Sequence, residues 1–267
     1  MVSDEDRLWL DSMAEAYDRW LGPAVFRPFA VDLAGRAGFH RPDRILELAA
    51  GTGILTRELV AVLPDAELVA TDLNPAMVSL GSQRVPAARW ETADAVRLPY
   101  PDGQFDLVAC QFGVMFFPDK PAAYAEARRV LRPGGRLLFN TWDVVATHGF
   151  DAAVMAGLER AFPGDPPNFL VAVPHGYADR EVVVSDLTAG GLETVVVETV
   201  TLEGHAESAA GVATGFCTGT PVRAGIEARS DLAAATVVVS EDMVRQLGPG
   251  PVTARMTAHV FEARPNR

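Results

Sequence analysis

The chain is almost without lysine. Lys120 stands alone, and every other basic residue is arginine. Arginine does not displace lysine so completely for structural reasons, so this imbalance reflects coding composition and not fold. Cysteine is scarce as well. Cys110 and Cys217 stand far apart, which excludes a disulfide framework and a cysteine metal centre and suits a reducing cytoplasm. No apolar run approaches the ~18 residues of a membrane helix. The opening residues, Met1-Val2-Ser3-Asp4-Glu5-Asp6, are acidic where a secretory or transit leader is basic. Positive charge is short overall, 23 basic against 35 acidic residues for a net charge of −12. Such a chain repels a phosphate backbone, and its basic clusters, such as Arg128-Arg129 with Arg132 and Arg136, are short. These absences predict a cytoplasmic protein that binds no nucleic acid, no membrane and no metal.

What is present is a globular composition. Of 267 residues, 49% are hydrophobic and 22% charged, spread along the whole length, which is enough for a core without covalent staples. With 4 Trp, 4 Tyr and 13 Phe, that core is mostly aliphatic.

Residues 4–20 place Leu8, Met13, Ala16 and Trp20 near helical spacing, ending at Gly22-Pro23, and a second helical run, 25–37, stops at Gly38. Strand and helix then alternate: strands at 45–49, 67–71, 88–93, 105–110 and 136–142, helices at 54–63, 75–83 and 119–131. Short loops between such elements mean crossover connections, hence a mainly parallel sheet covered on both faces. Beyond lie a helix and loop over 143–178, a helix at 179–189, a β-rich run at 192–202, two helical pieces over 207–247 and a last strand at 252–263. No repeat or low-complexity linker divides the chain. The expectation is one domain over 1–267, with 1–38 as an N-terminal helical lid, 39–142 as a cofactor-binding half, and 143–178 and 205–248 as cap insertions over an acceptor site.

The sharpest signal is Glu47-Leu48-Ala49-Ala50-Gly51-Thr52-Gly53, at the carboxyl end of the first strand, where ligands lie in a doubly wound sheet. Gly51 and Gly53 remove Cβ atoms that would hold a ligand off the backbone. Nineteen positions beyond Gly53, Asp72 ends the second strand, where a carboxylate can accept both ribose hydroxyls. A dinucleotide site wants a third glycine, yet position 56 is Thr. An acidic Glu47 would repel a pyrophosphate but suits a ligand that carries an ammonium group. That combination points to S-adenosylmethionine, with Asp94, at the end of the third strand, placed to accept from the adenine amine.

Glu47-x-Ala49-x-Gly51-x-Gly53, Asp72-Leu73-Asn74-Pro75, Asp94, Phe105-Asp106-Leu107-Val108 and Leu131-Arg132-Pro133-Gly134-Gly135 occur in the order and spacing of class I S-adenosylmethionine-dependent methyltransferases. The chain resembles the small-molecule branch that includes the ubiquinone/menaquinone biosynthesis methyltransferases, and the stretch from Gln111 to Asp119 is similar to the segment after the fourth strand there. The resemblance covers residues 40–142 with specific motifs and the remainder in outline; Ala49 replaces the usual first glycine. It implies a Rossmann-like, doubly wound, mainly parallel seven-stranded α/β sheet with an antiparallel last strand and a helical cap. It also assigns roles. Glu47 lies near the cofactor's amino group, Ala49 and Gly51 against its aminoacid tail and sugar, Leu73 and Met77 on the adenine, Asp94 and the Ala95 backbone at the adenine edge, and Gln111 near the sulfonium. Tyr17, with Trp20, is a candidate lid over the cofactor.

Methyl transfer from a sulfonium is an in-line displacement that asks the protein for alignment and, where needed, a base. Some relatives place a His after the fourth strand, where this chain has Phe116-Phe117-Pro118. His175 and His148 are the candidate bases by topology. Trp142, Tyr177, Phe216 and Arg223 are the candidate acceptor contacts, Arg223 for an anionic group. The expectation is transfer to O, N or C of a small-molecule acceptor by a monomer or homodimer, releasing S-adenosylhomocysteine. The alternative is a module that binds S-adenosylmethionine or its product without turnover.

Overall fold

The structure, a computed structural model, describes residues 11–266. The expected helical residues 4–10, Leu8 among them, and the acidic opening lie outside the described residues. The elements in chain order are α1 (Asp11–Ala16), a π-helical segment (Tyr17–Phe26), α2 (Arg27–His40), β1 (Arg44–Glu47), α3 (Ile54–Val62), β2 (Glu67–Asp72), α4 (Pro75–Arg84), β3 (Arg89–Thr92), β4 (Phe105–Gln111), α5 (Lys120–Val130), β5 (Leu131–Trp142), α6 (Gly149–Ala161), α7 (Phe169–Ala172), α8 (Arg180–Ala189), β6 (Leu192–Ala206), α9 (Ala209–Gly219), α10 (Val222–Glu227), α11 (Leu232–Leu247) and β7 (Val252–Pro265). None of the described helices is long and apolar enough to cross a membrane.

The strands form one seven-stranded sheet in the order β3-β2-β1-β4-β5-β7-β6. The first five are parallel to their neighbours, and β7 runs antiparallel to β5, pairing Leu137–Trp142 with Ala258–Ala263. Ile45, Leu46, Leu107, Val108 and Phe139 are fully buried on strands that are apolar on both faces, as a sheet covered on both sides requires. The reversal of strand order between β1 and β4 opens a crevice at their carboxyl ends, and the motif loop after β1 sits there.

Two compact units make up the chain. The sheet unit comprises Phe29–Asp143, Tyr177–Val200 and the described part of Ala258–Arg267; the helical unit comprises the described part of Met1–Pro28, Val144–Gly176 and Thr201–Thr257. In the helical unit α9 carries Gly211, Gly215 and Gly219 on one face. A Cβ at Gly211 or Gly215 would come within 2.7 Å of Trp20, so glycine lets the π-helical segment lie directly on α9.

Three local expectations are corrected. The helix expected to end at Gly22-Pro23 runs on to His40, because the wider π turn accommodates a proline that has no N–H to give; the Arg27 N–H bonds Gly22 O, five residues back. The helical pieces expected over 207–247 are three, with breaks around Pro221 and at Asp231, whose side chain caps α11. The fifth strand begins at Leu131 instead of Arg136, straight from the end of α5.

Candidate functional site

The motif loop is fastened to the end of β2 from several sides. The Ala50 N–H bonds Thr71 O at 2.8 Å, the Thr71 hydroxyl donates to Glu47 O at 2.7 Å, and the Gly51 N–H donates to Asp72 Oδ2 at 2.8 Å. Asp72 Oδ1 accepts from the Asn74 N–H at 2.9 Å. Both Asp72 oxygens thus accept from the backbone, and the carboxylate keeps acceptor capacity for a ribose hydroxyl. Capping of α4 falls to Asn74, whose Oδ1 accepts from the Ala76 N–H, with Pro75 at the first helical position.

Gly51 has a φ of +56° and Gly53 of +88°, and a Cβ at Gly51 would meet nothing within 4 Å. The loop backbone therefore faces open space over Gly51. Ala49 also lies in the left-handed region, with φ +50°. The familial glycine at that place answers a real backbone demand, and alanine meets it at a strain of about 1 kcal/mol.

Glu47 is 1% exposed, and its Oε2 has no hydrogen-bond partner. Burial pushes its carboxyl up to about 8; the Asp72 charge adds to the rise and Thr56 opposes it. Burial likewise raises Asp72, against the backbone N–H groups of Asn74, Gly51 and Leu73. A buried carboxylate oxygen without a donor, beside a glycine loop with open space, fits the ammonium end of S-adenosylmethionine. The half-buried Asp72 fits its ribose, and the exposed apolar Leu73 its adenine.

The remaining expected cofactor residues are placed as follows. Met77 is buried on α4 in the turn after Asp72. Asp94 caps the turn after β3, accepting from the Val96 N–H at 3.0 Å, with Ala95 half-buried between them. Gln111 ends β4 and pairs in register with Asn140 on β5. Tyr17 belongs to the helical unit, where its ring stacks on Phe26 at 4.6 Å.

Among the acceptor candidates, Trp142 stacks on Phe112 at 3.6 Å and meets Phe29 edge-on, forming an aromatic cluster at the end of β5. Tyr177 is drawn into helix packing. Its hydroxyl donates to Asp186 on α8 at 2.7 Å and meets Tyr124 on α5. Phe216 is buried on α9, and Arg223 on α10 pairs with Glu227 at 2.8 Å, both within the helical unit.

His148 and His175 converge on one carboxylate: His148 Nδ1 lies 2.9 Å from Asp151 Oδ1, and His175 Nε2 lies 2.8 Å from Asp151 Oδ2. The imidazoles are 0% and 1% exposed. A base must present a ring nitrogen to the acceptor, whereas these two are turned inward and fasten the start of α6 to the segment after α7. His148 also caps α6 by accepting the Asp151 N–H.

Sequence reasoning missed Thr71, Asn140 and Asp151. Thr71 is silent because its role is to tie the loop, not to touch a ligand. Asn140 left a signal: a fully buried amide in the apolar run Leu137–Trp142, where its Oδ1 accepts from the Phe112 N–H at 3.0 Å and its Nδ2 has no partner. That bond holds Phe112 at a φ of +50°.

Comparison with known proteins follows the same residues. Residues 46–139 match the family described as a methyltransferase domain. Demethylmenaquinone methyltransferase of Deinococcus radiodurans is 38% identical over 159 residues, which is 57% of this chain and 66% of that protein. The ubiquinone/menaquinone biosynthesis C-methyltransferase UbiE of Ectopseudomonas mendocina is 30% identical over 194 residues, 66% of this chain and 74% of that protein. Among solved structures, phosphoethanolamine N-methyltransferase 2 of Haemonchus contortus, in complex with phosphomonomethylethanolamine and S-adenosylhomocysteine, has the same fold, with a TM-score of 0.60 at 16% identity over 97% of this chain and 59% of that one. The loop, the carboxylates, the sheet and these relatives agree: the chain belongs to the ubiquinone/menaquinone biosynthesis branch of the class I S-adenosylmethionine-dependent methyltransferases, with S-adenosylmethionine as cofactor and S-adenosylhomocysteine as product.

Proposed function

We propose that the chain transfers a methyl group by in-line displacement to a carbon of a small hydroquinone-type ring. The carrying observation is the motif loop, with Glu47 buried, one of its oxygens unpartnered, and open space over the Gly51 backbone. The names of the Deinococcus and Ectopseudomonas relatives support the acceptor class and the atom. When bound, S-adenosylmethionine supplies an electrophilic methyl group on a sulfonium.

The residues of this chain supply position. Glu47 holds the amino end, Ala49, Gly51 and Gly53 admit the aminoacid tail to the backbone, and Asp72 holds the ribose. Leu73 and Met77 pack on the adenine, Asp94 and Ala95 read its edge, and Gln111 borders the sulfonium. Fixing both partners in line accounts for a large part of the acceleration such a reaction needs. A ring hydroxyl that gives its proton to solvent activates the carbon beside it, and the hydrogen displaced from that carbon also leaves to solvent as the ring is restored. His148 and His175, both turned onto Asp151, are not placed to take either proton.

The test is release of S-adenosylhomocysteine across a panel of hydroquinones, phenols, carboxylates and amines, with Asp72→Ala as the blank. Turnover confined to hydroquinones and lost in the blank is the expected result. Turnover only on another class would replace the acceptor assignment. Binding without turnover on any acceptor would favour a non-catalytic module.

A further inference from the structure

Glu47 is the one fully buried carboxyl in the motif loop, and none of the described cationic side chains pairs with it. The groups that face it are Thr56 from α3, Asp72 from the end of β2 and Cys110 from the end of β4, whose thiol is pushed up to about 12, first by its own burial and further by the charge of Glu47. None of these is positive, and Asp72 repels. An ionised carboxylate in such surroundings costs several kcal/mol unless a cation or enough donors reach it. One of its two oxygens has no donor at all.

Resting on the reading that the aminoacid end of S-adenosylmethionine lies over this loop, we propose that Glu47 is a neutral acid in the free protein and gives up its proton when the ligand's ammonium arrives. Binding and proton release are then one event. The balance is simple: a carboxylic acid and an ammonium ligand become a carboxylate–ammonium pair, and one proton leaves to solvent. No bond within the ligand changes. The device gives the site selectivity without a standing charge. An uncharged or anionic ligand end cannot draw the proton off, so it meets a neutral wall instead of a complementary one.

Burial pushes this acid up to about 8, into the range of a free α-amino group, about 7.7–8.0. Below that range the ligand is already an ammonium and the protein must lose a proton. Above it Glu47 is already ionised and the ligand must gain one. The number of protons exchanged therefore changes sign near pH 8, which a permanently ionised Glu47 would not produce.

The experiment is calorimetric titration of S-adenosylhomocysteine, which has the same aminoacid end, into the full chain in pairs of buffers of different ionisation enthalpy. Expected are release of about 0.9 proton at pH 6.5, none near pH 8 and uptake at pH 9, with affinity rising roughly five-fold from pH 6.5 to 7.5. Glu47→Gln, which keeps the shape of the neutral acid, is expected to bind with no release at pH 6.5 and with flat affinity over that interval. Methylthioadenosine, which lacks the amino group, is expected to bind the unaltered protein with no release. Tight binding with no proton released at pH 6.5, or the same release from Glu47→Gln, would overturn the exchange and leave the cofactor reading standing. Failure of the folded chain to bind S-adenosylhomocysteine at every pH would overturn the cofactor reading and the exchange with it.

Discussion

Two glycines in the same backbone region separate the cost of strain from the cost of blocking the cofactor. Gly51 and Gly134 have φ of +56° and +86°, and a Cβ at either meets nothing within 4 Å. Gly51 lies at the carboxyl end of β1, over the site; Gly134 lies in the bulged first part of β5, at the opposite end of the parallel strands. In both positions alanine costs about 1 kcal/mol of left-handed strain, which for a chain of this size lowers Tm by about 2–4 °C. Only at Gly51 does the new methyl intrude on the proposed place of the cofactor. Overpacking of that kind costs roughly 1–3 kcal/mol, a loss of affinity of roughly 5- to 150-fold. Thermal unfolding without ligand and titration with S-adenosylhomocysteine measure the two terms separately. Equal Kd for Gly51→Ala and Gly134→Ala would refute the placement of the cofactor against Gly51. An unshifted Tm for both would refute the left-handed backbone.

Asp72→Ala removes a charge-assisted acceptor worth about 1.5–3 kcal/mol, so affinity for S-adenosylhomocysteine is expected to fall roughly 10- to 150-fold; an unchanged Kd would remove Asp72 from the site. Asp151→Asn leaves two buried imidazoles without their shared carboxylate and is expected to cost about 3–5 kcal/mol in urea unfolding. Burial alone would raise Asp151, but the neighbouring His148, and then His175, outweigh it and hold the group well below the usual carboxylate range. Because its folded value is depressed, the stability it contributes is present above about pH 4 and is lost as pH falls further, so the gap between wild type and Asp151→Asn should narrow in acid. Tyr177→Phe deletes the bond to Asp186 and is expected to cost about 1 kcal/mol in the same assay while leaving the Kd for S-adenosylhomocysteine unchanged; a large loss of affinity would return Tyr177 to the ligand site.

The sheet half of the protein was legible because its signals are local. An apolar strand, a glycine turn and an acidic residue at the next strand end are read within about thirty residues, and Glu47, Gly51 and Asp72 fall together as that pattern demands. The helical unit was not legible to the same degree. Gly22-Pro23 reads as a break, yet a π turn carries the helix through it, since the outcome depends on the packing of that segment on α9. The convergence of His148 and His175 on Asp151 depends on where α7 returns to α6, which no periodicity encodes. Asn140 shows the intermediate case: its oddness in an apolar strand was visible, but its bond to the Phe112 backbone belongs to the tertiary structure.

The place of β7 between β5 and β6 bears on how the molecule is made. β6 leaves the ribosome well before β7, and its sheet neighbour is β7, so for that interval it is a fifteen-residue strand with no partner. Val195 and Val197 on it are exposed even in the folded protein. Unpaired strands of this kind are templates for association between chains. The glutamates along it, Glu193, Glu198 and Glu203, act as gatekeepers during that interval, two of them finding arginines, Arg264 and Arg36, once the sheet closes. Yield on expression, more than Tm, is therefore the property most exposed to substitutions on β6.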